Sequence, residues 1–332
     1  MRLYGTLSVQ KFSSINNTWM PLTAEDRGKV TLINHYADAL FKSITVTVNG
    51  AVVTFVNTTE YPFKAWLENI TTFSPEAAKN QLSPSGYLPE TLDMFDDITK
   101  GGNKTRSEYL TTKNGKIGFS TPLHCDIFQH GRIMMDNCGI QLDCERSSDN
   151  FLLLTDSTSI GSGDVPTKYR VALHECRLSW KKISIRPEIK HDIDSALSTG
   201  KRVRYPINRV MMKWAQIPQK TQDFSYNLVS HNNMLPYMIV CGLFREKSML
   251  GETKSTPFNV MDYKVDSFEF KYNEVSLPHS MYAQDNSNDD NMSYLRNYAE
   301  FIDNINAGRY NSANLITPEM WRKHYHFVSF WN

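Results

Sequence analysis

His324 and His326 stand two residues apart near the end of the chain. In a β-strand that spacing turns both imidazoles to one face, where they could hold a divalent metal. No third ligand is evident. Paired carboxylates, the raw material of acid–base chemistry, occur at Asp96-Asp97 and Asp289-Asp290. Both pairs lie in polar stretches, where solvated loop charge is the ordinary reading. Cys138 with Cys144, or His174 with Cys176, offers soft metal ligands, but Cys144 and Cys176 fall in strand-like alternation and read as buried structural thiols. Gly161-Ser162-Gly163 reads as a loop tip rather than a phosphate cradle. Lys181-Lys182 and Lys201-Arg202 are small basic clusters of the size found at solvated strand and helix ends. The chain contains no Walker loop, G-x-G-x-x-G, H-E-x-x-H or G-x-S-x-G. No catalytic residue, cofactor site or metal ligand is assigned, and the expectation is a non-enzyme that presents surfaces to other proteins.

The elements around these residues read mostly as strands. Lys116 to Leu123, Cys138 to Glu145, Phe151 to Leu154, Arg202 to Ile217, Pro236 to Phe244 and His326 to Trp331 are each apolar or alternating and bounded by turn residues. Tyr169 to Ile185 is too long for one flat strand and predicts a bend or bulge. Helical stripes occur at Phe63, Trp66, Leu67 and Ile70, at Ile189, Ile193 and Leu197, and between Met292 and Ile305. Ser74-Pro75-Glu76 and Thr317-Pro318-Glu319 each supply a cap followed by a first-turn proline. Residues 83–116 read as a long surface loop, and 284–291 as a polar, acidic one.

Two distant segments share one hairpin pattern. Ser43 to Val52 and Ser267 to Ser276 align without a gap, 224 residues apart. Each places three apolar residues at period two before an Asn at the turn, and Asn49-Gly50 is a strong type I′ signal. The helix opened by Pro187 and ended by Gly200 falls between the two copies. The expected division is therefore a first β-unit at 1–186, a linker helix at 187–200 and a second β-unit at 201–332, of the sandwich or jelly-roll kind.

Composition agrees with a packed protein. Of 332 residues, 40% are apolar and 12% aromatic, ample for large cores. Lys and Arg total 36 against 35 Asp and Glu, which argues against a protein that coats nucleic acid by neutralising phosphates. Five cysteines, an odd number without a C-x-x-C pair, fit reduced thiols in an intracellular compartment. The sequons at Asn16, Asn57, Asn69, Asn103 and Asn291 are read as unused, and no apolar run is long enough to span a bilayer.

Several blocks resemble one protein family. Phe41 to Gly50 leading into Tyr61-Pro62-Phe63-Lys64-Ala65-Trp66-Leu67-Glu68 resembles a block of the major capsid proteins of Polinton (Maverick) elements and adintovirus-like viruses. Leu123-His124-Cys125-Asp126-Ile127-Phe128, Glu145-Arg146-Ser147-Ser148-Asp149-Asn150-Phe151, Tyr205-Pro206-Ile207-Asn208-Arg209-Val210 and Pro257-Phe258-Asn259-Val260-Met261-Asp262-Tyr263 are similar to further blocks in the same order. The resemblance covers roughly residues 30 to 332. It implies an all-β double jelly-roll with a few short helices, forming hexon-like homotrimers of pseudo-hexagonal outline in an icosahedral virion. Neighbouring capsomers and a minor (penton) capsid protein would be the other partners. Assembly would occur inside the host cell, with no cofactor, membrane span or sequence-specific nucleic-acid partner. By the repeat's own spacing the second jelly-roll is incomplete, stopping at Trp331-Asn332, as in a fragment or a degraded endogenous viral element. Subunit contacts are expected from residues 83–116 and 284–291. The alternative is a jelly-roll binding module, lectin-like or a host-domesticated interaction protein, which a glycan array would distinguish.

Overall fold

Alternation of apolar side chains organises the first strand, where Leu3, Leu7 and Val9 turn inward and Arg2, Tyr4 and Thr6 outward. The computed structural model describes residues 1–54, 61–136, 138–156, 168–207, 210–228, 236–272, 274–283, 293–306 and 313–331. The strands are β1 (Arg2–Ser13), β2 (Thr18–Pro21), β3 (Val30–Leu32), β4 (Phe41–Val48), β5 (Ala51–Val52), β6 (Lys116–Pro122), β7 (Ile140–Arg146), β8 (Leu153–Thr155), β9 (Tyr169–Ser179), β10 (Met238–Gly242), β11 (Ser267–Tyr272), β12 (Val275–Ala283) and β13 (Phe327–Trp331). The helices are α1 (Tyr61–Thr72), α2 (Pro75–Gln81), α3 (Gly101–Thr112), α4 (Asp126–Gln129), α5 (Asp149–Leu152), α6 (Pro187–Ser198), α7 (Glu246–Met249), α8 (Ser293–Asn306) and α9 (Pro318–Lys323).

The fold is β-rich, and its strands pair antiparallel in small sheets. β1 is central to the largest, with β9 along one edge and β6 and β2 along the other. The bend expected in the long strand is a bulge. The β1–β9 register slips between Thr6 and Leu7, leaving His174 extra, and the His174 ring meets Ser8 Oγ at 2.7 Å. Next to it, a Cβ at Gly5 would lie 1.9 Å from the Glu175 carbonyl oxygen. Gly5→Ala is therefore expected to prise β1 from β9 at a cost of about 1–3 kcal/mol, read as a lower urea midpoint.

The repeated hairpin is repeated in structure. Val48 pairs with Ala51 and Thr47 with Val52 in the first copy; Tyr272 pairs with Val275 and Lys271 with Ser276 in the second. The register is the same at the same offset of 224. Asn49 and Gly50 adopt the positive φ of a type I′ turn, 48° and 80°. Glu274, the counterpart of Gly50, sits at φ 66°. A side chain there is strained, so Glu274→Gly is expected to raise stability by about 0.5–1 kcal/mol in a thermal melt.

Three expectations are corrected. Residues 83–116 are not one surface loop, because α3 forms within them and buries a polar face against β3. Arg106 Nε donates to the Leu32 carbonyl at 3.0 Å, Ser107 Oγ to that of Val30 at 2.9 Å, and Asn103 Nδ2 to that of Phe95 at 2.9 Å. Arg202 to Ile217 makes no ladder among the described residues, since no strand lies beside it. Cys144 and Cys176 are exposed, on outward positions of β7 and β9.

Most of the buried apolar residues before and after α6 form one cluster, while Val328 and Phe330 belong to a second, smaller one. Trp66 of α1 stacks on Phe258 at 5.2 Å and meets Tyr325 and Phe327 at 5.6 and 5.7 Å. The expected boundary at 187–200 thus separates two lengths of chain whose aromatic residues share a core.

Candidate functional site

The residues with chemical potential are mostly absorbed by packing. His324 Nε2 accepts the Asp93 backbone N–H at 2.9 Å, and its ring lies on Phe95 at 4.0 Å. His326 stacks on Trp321 at 4.4 Å. Among the described residues no group of three or more His, Cys, Asp or Glu could hold a metal ion. Asp96 accepts the Thr256 N–H at 2.7 Å, and Asp97 accepts both N–H and hydroxyl of Thr99. Burial pushes the Cys125 thiol up to about 12 and that of Cys241 to about 11, so neither is a thiolate at neutral pH. Asn69 and Asn103 are buried and hydrogen-bonded, Asn16 is exposed, and Asn57 and Asn291 lie outside the described residues. Asp289-Asp290, Gly161-Ser162-Gly163 and the whole of 284–291 lie outside them as well. Among the described residues no helix is long and apolar enough to cross a membrane.

Four of the five blocks that carry the family resemblance, all but Tyr205 to Val210, converge on one node. Phe63 meets Phe151 at 6.1 Å and Phe258 at 5.6 Å, all edge-on. Glu68, one helical turn after Lys64, takes the His124 Nδ1 at 2.7 Å, while Lys64 pairs with Asp126. The hydrogen bond to His124 and the nearby Lys64 hold the Glu68 carboxyl below its usual range against the effect of burial. Fully buried Asp38 lies beneath, bonded to Asn69 at 2.9 Å and to Thr121. This arrangement locks four distant stretches of chain together, and the neighbouring space lined by Trp66, Phe258 and Tyr325 has room for about one water.

A different feature is the density of exposed apolar side chains in one length of the chain. Of the twenty-six large apolar side chains exposed among the described residues, thirteen fall between residues 180 and 228. Trp180 is 64% exposed, Ile183 56% and Ile189 49%, and α6 buries none of its residues. Half-exposed side chains of this size amount to about 1,000 Å², against about 800 Å² per partner in a standard protein interface. The segment is tied down at separate points. Arg132 donates to the Arg204 carbonyl at 2.7 Å, the Met135 N–H to Tyr205 Oη at 2.9 Å, and Trp214 packs edge-on to Phe63 at 5.0 Å. It also carries ten Lys and Arg against four Asp and Glu, so the remainder of the chain is net acidic, 26 against 31. Sequence reading placed Trp180, Ile183 and Ile185 and the apolar residues of 202–217 in strands, and Ile189 and Leu197 on a helical stripe, with core roles expected for the tryptophans. The charge imbalance was the signal that could have marked a surface instead.

No protein-family model and no solved structure matches the chain. An uncharacterized protein of Caenorhabditis elegans is 21% identical over 292 residues, which is 87% of this chain. The chain spans 65% of the length of that relative.

Proposed function

We propose that the chain is a structural subunit of a virus-type capsid, a double jelly-roll that assembles as a hexon-like trimer and has no catalytic role. The observation that carries this reading is the hairpin repeated 224 residues apart in one pairing register, the mark of two copies of a β-unit on either side of α6. Two further observations support it. Four of the five blocks that resemble the capsid family form a packing node, as expected where residues serve a fold and not a reaction. The exposed apolar side chains and excess positive charge of 180–228 would supply a face of the size buried when subunits meet, and Arg202 to Ile217 forms no ladder among the described residues. In a virion, that face would lie against the acidic remainder of another copy. Averaged electron micrographs of the purified protein test the reading. Six-lobed particles are expected, two lobes per chain; particles with a single lobe, or with three undivided ones, would overturn the double jelly-roll trimer.

A further inference from the structure

His324 and His326 bracket Tyr325, whose ring is buried against Phe95 at 5.7 Å and Trp66 at 5.6 Å. From the far side, residues 91–97 close over this strap. The Asp93 N–H donates to His324 Nε2, and Lys323 Nζ meets the Asp93 carboxylate at 2.7 Å. Phe95 covers the His324 ring, and Asp96 takes the Thr256 N–H. With Nε2 accepting, Nδ1–H faces Asn259 Oδ1 at 3.3 Å, so this geometry requires a neutral imidazole. A proton on Nε2 would oppose the Asp93 N–H, with the Asp93 carboxylate 3.5 Å from the same nitrogen. We propose that residues 91–97 and His324–His326 form a clasp that acid releases, freeing the C-terminal strap from the elements before α6.

The direction follows from every charged group at the seam. Burial holds His324 below its ordinary range of 6.5 and His326 down to about 4. The open form therefore binds protons more readily, and opening is favoured as pH falls below 6.5. Asp93 faces His324 and favours its protonation, while Lys323 disfavours it; burial outweighs the carboxylate. Asp262 faces His326 and favours its protonation without overcoming burial. Lys323 holds Asp93 below the usual carboxylate range, and Asp93 and Glu319 hold Lys323 above its own, so this pair stays charged across the window. Asp96 runs the other way: burial raises its carboxyl, Arg245 lowers it and Glu252 raises it, so its protonation favours the closed form. With His326 at about 4 closed and 6.5 open, passing from pH 8 to pH 5 shifts opening about 30-fold on that ring alone.

Hydrogen exchange of the full chain at pH 8 and pH 5, corrected for intrinsic rates, tests the clasp. The amides of Asp93, Val260 and His326 are expected to lose about 30-fold in protection or more, while the β1–β9 ladder keeps its own. The double variant His324→Gln, His326→Gln, which cannot take up the protons, is expected to lose this pH response. Loss of protection by the whole chain together, or an unchanged response in the double variant, would overturn the clasp. Should the variant fail to fold, ring resonances of the unaltered protein decide: titration below 6.5 for both rings supports it, and titration at or above 6.5 overturns it.

Discussion

Trp66→Ala is expected to destabilise the chain by about 3–5 kcal/mol, the cost of emptying a fully packed aromatic site. Trp66 is 2% exposed and touches Phe244, Phe258, Tyr325 and Phe327, every one of them on the far side of α6 in sequence. The loss is a large share of the 5–15 kcal/mol that separates folded from unfolded in an ordinary domain. Because one side chain stitches the early helix α1 to the late strands, the effect is expected throughout the molecule. Urea unfolding followed by far-ultraviolet circular dichroism and by tryptophan fluorescence should shift together to a lower midpoint. Two separated transitions, with the earlier β1 sheet unmoved, would contradict a shared core.

Charging the apolar face of α6 is expected to have the opposite profile, a large effect on assembly and almost none on folding. Ile189 and Leu197 lie two helical turns apart on one stripe and are both exposed. If each is buried by a neighbouring copy, removing both hydrophobic contributions costs about 4 kcal/mol, which weakens association about a thousand-fold. Ile189→Asp with Leu197→Asp should therefore release single chains at concentrations where the unaltered protein is assembled. Melting of the single chain should stay within about 0.5 kcal/mol, as for other surface substitutions. A double variant that keeps the assembled mass would assign the subunit contact to another face.

What could be read in advance follows from how locally each signal is encoded. The hairpin at Asn49-Gly50, the caps at Ser74 and Thr317 and the bounds of α6 depend on neighbours within four residues, and each was legible. α3 was not, because its first residues are Gly101 and Gly102 and its inward face is Asn103, Arg106 and Ser107. Those side chains are satisfied by carbonyls of Leu32, Val30 and Phe95, partners that only the tertiary fold brings near. Residues 202–217 failed in the reverse sense: their alternation is strand-like, but a strand needs a neighbour, and none lies beside them among the described residues. The candidate surface was hidden for the same reason. Apolar residues such as Trp180 and Ile183 announce burial without saying whether the chain itself or another molecule covers them.

The claim on which the rest depends is that this chain is built to assemble with copies of itself. Its most direct test is the mass of the purified protein in solution, by sedimentation velocity or mass photometry, across a wide range of concentration. The account predicts a species with the mass of three chains that dissociates only on dilution or on charging α6. A protein that keeps the mass of one chain at every concentration would contradict it.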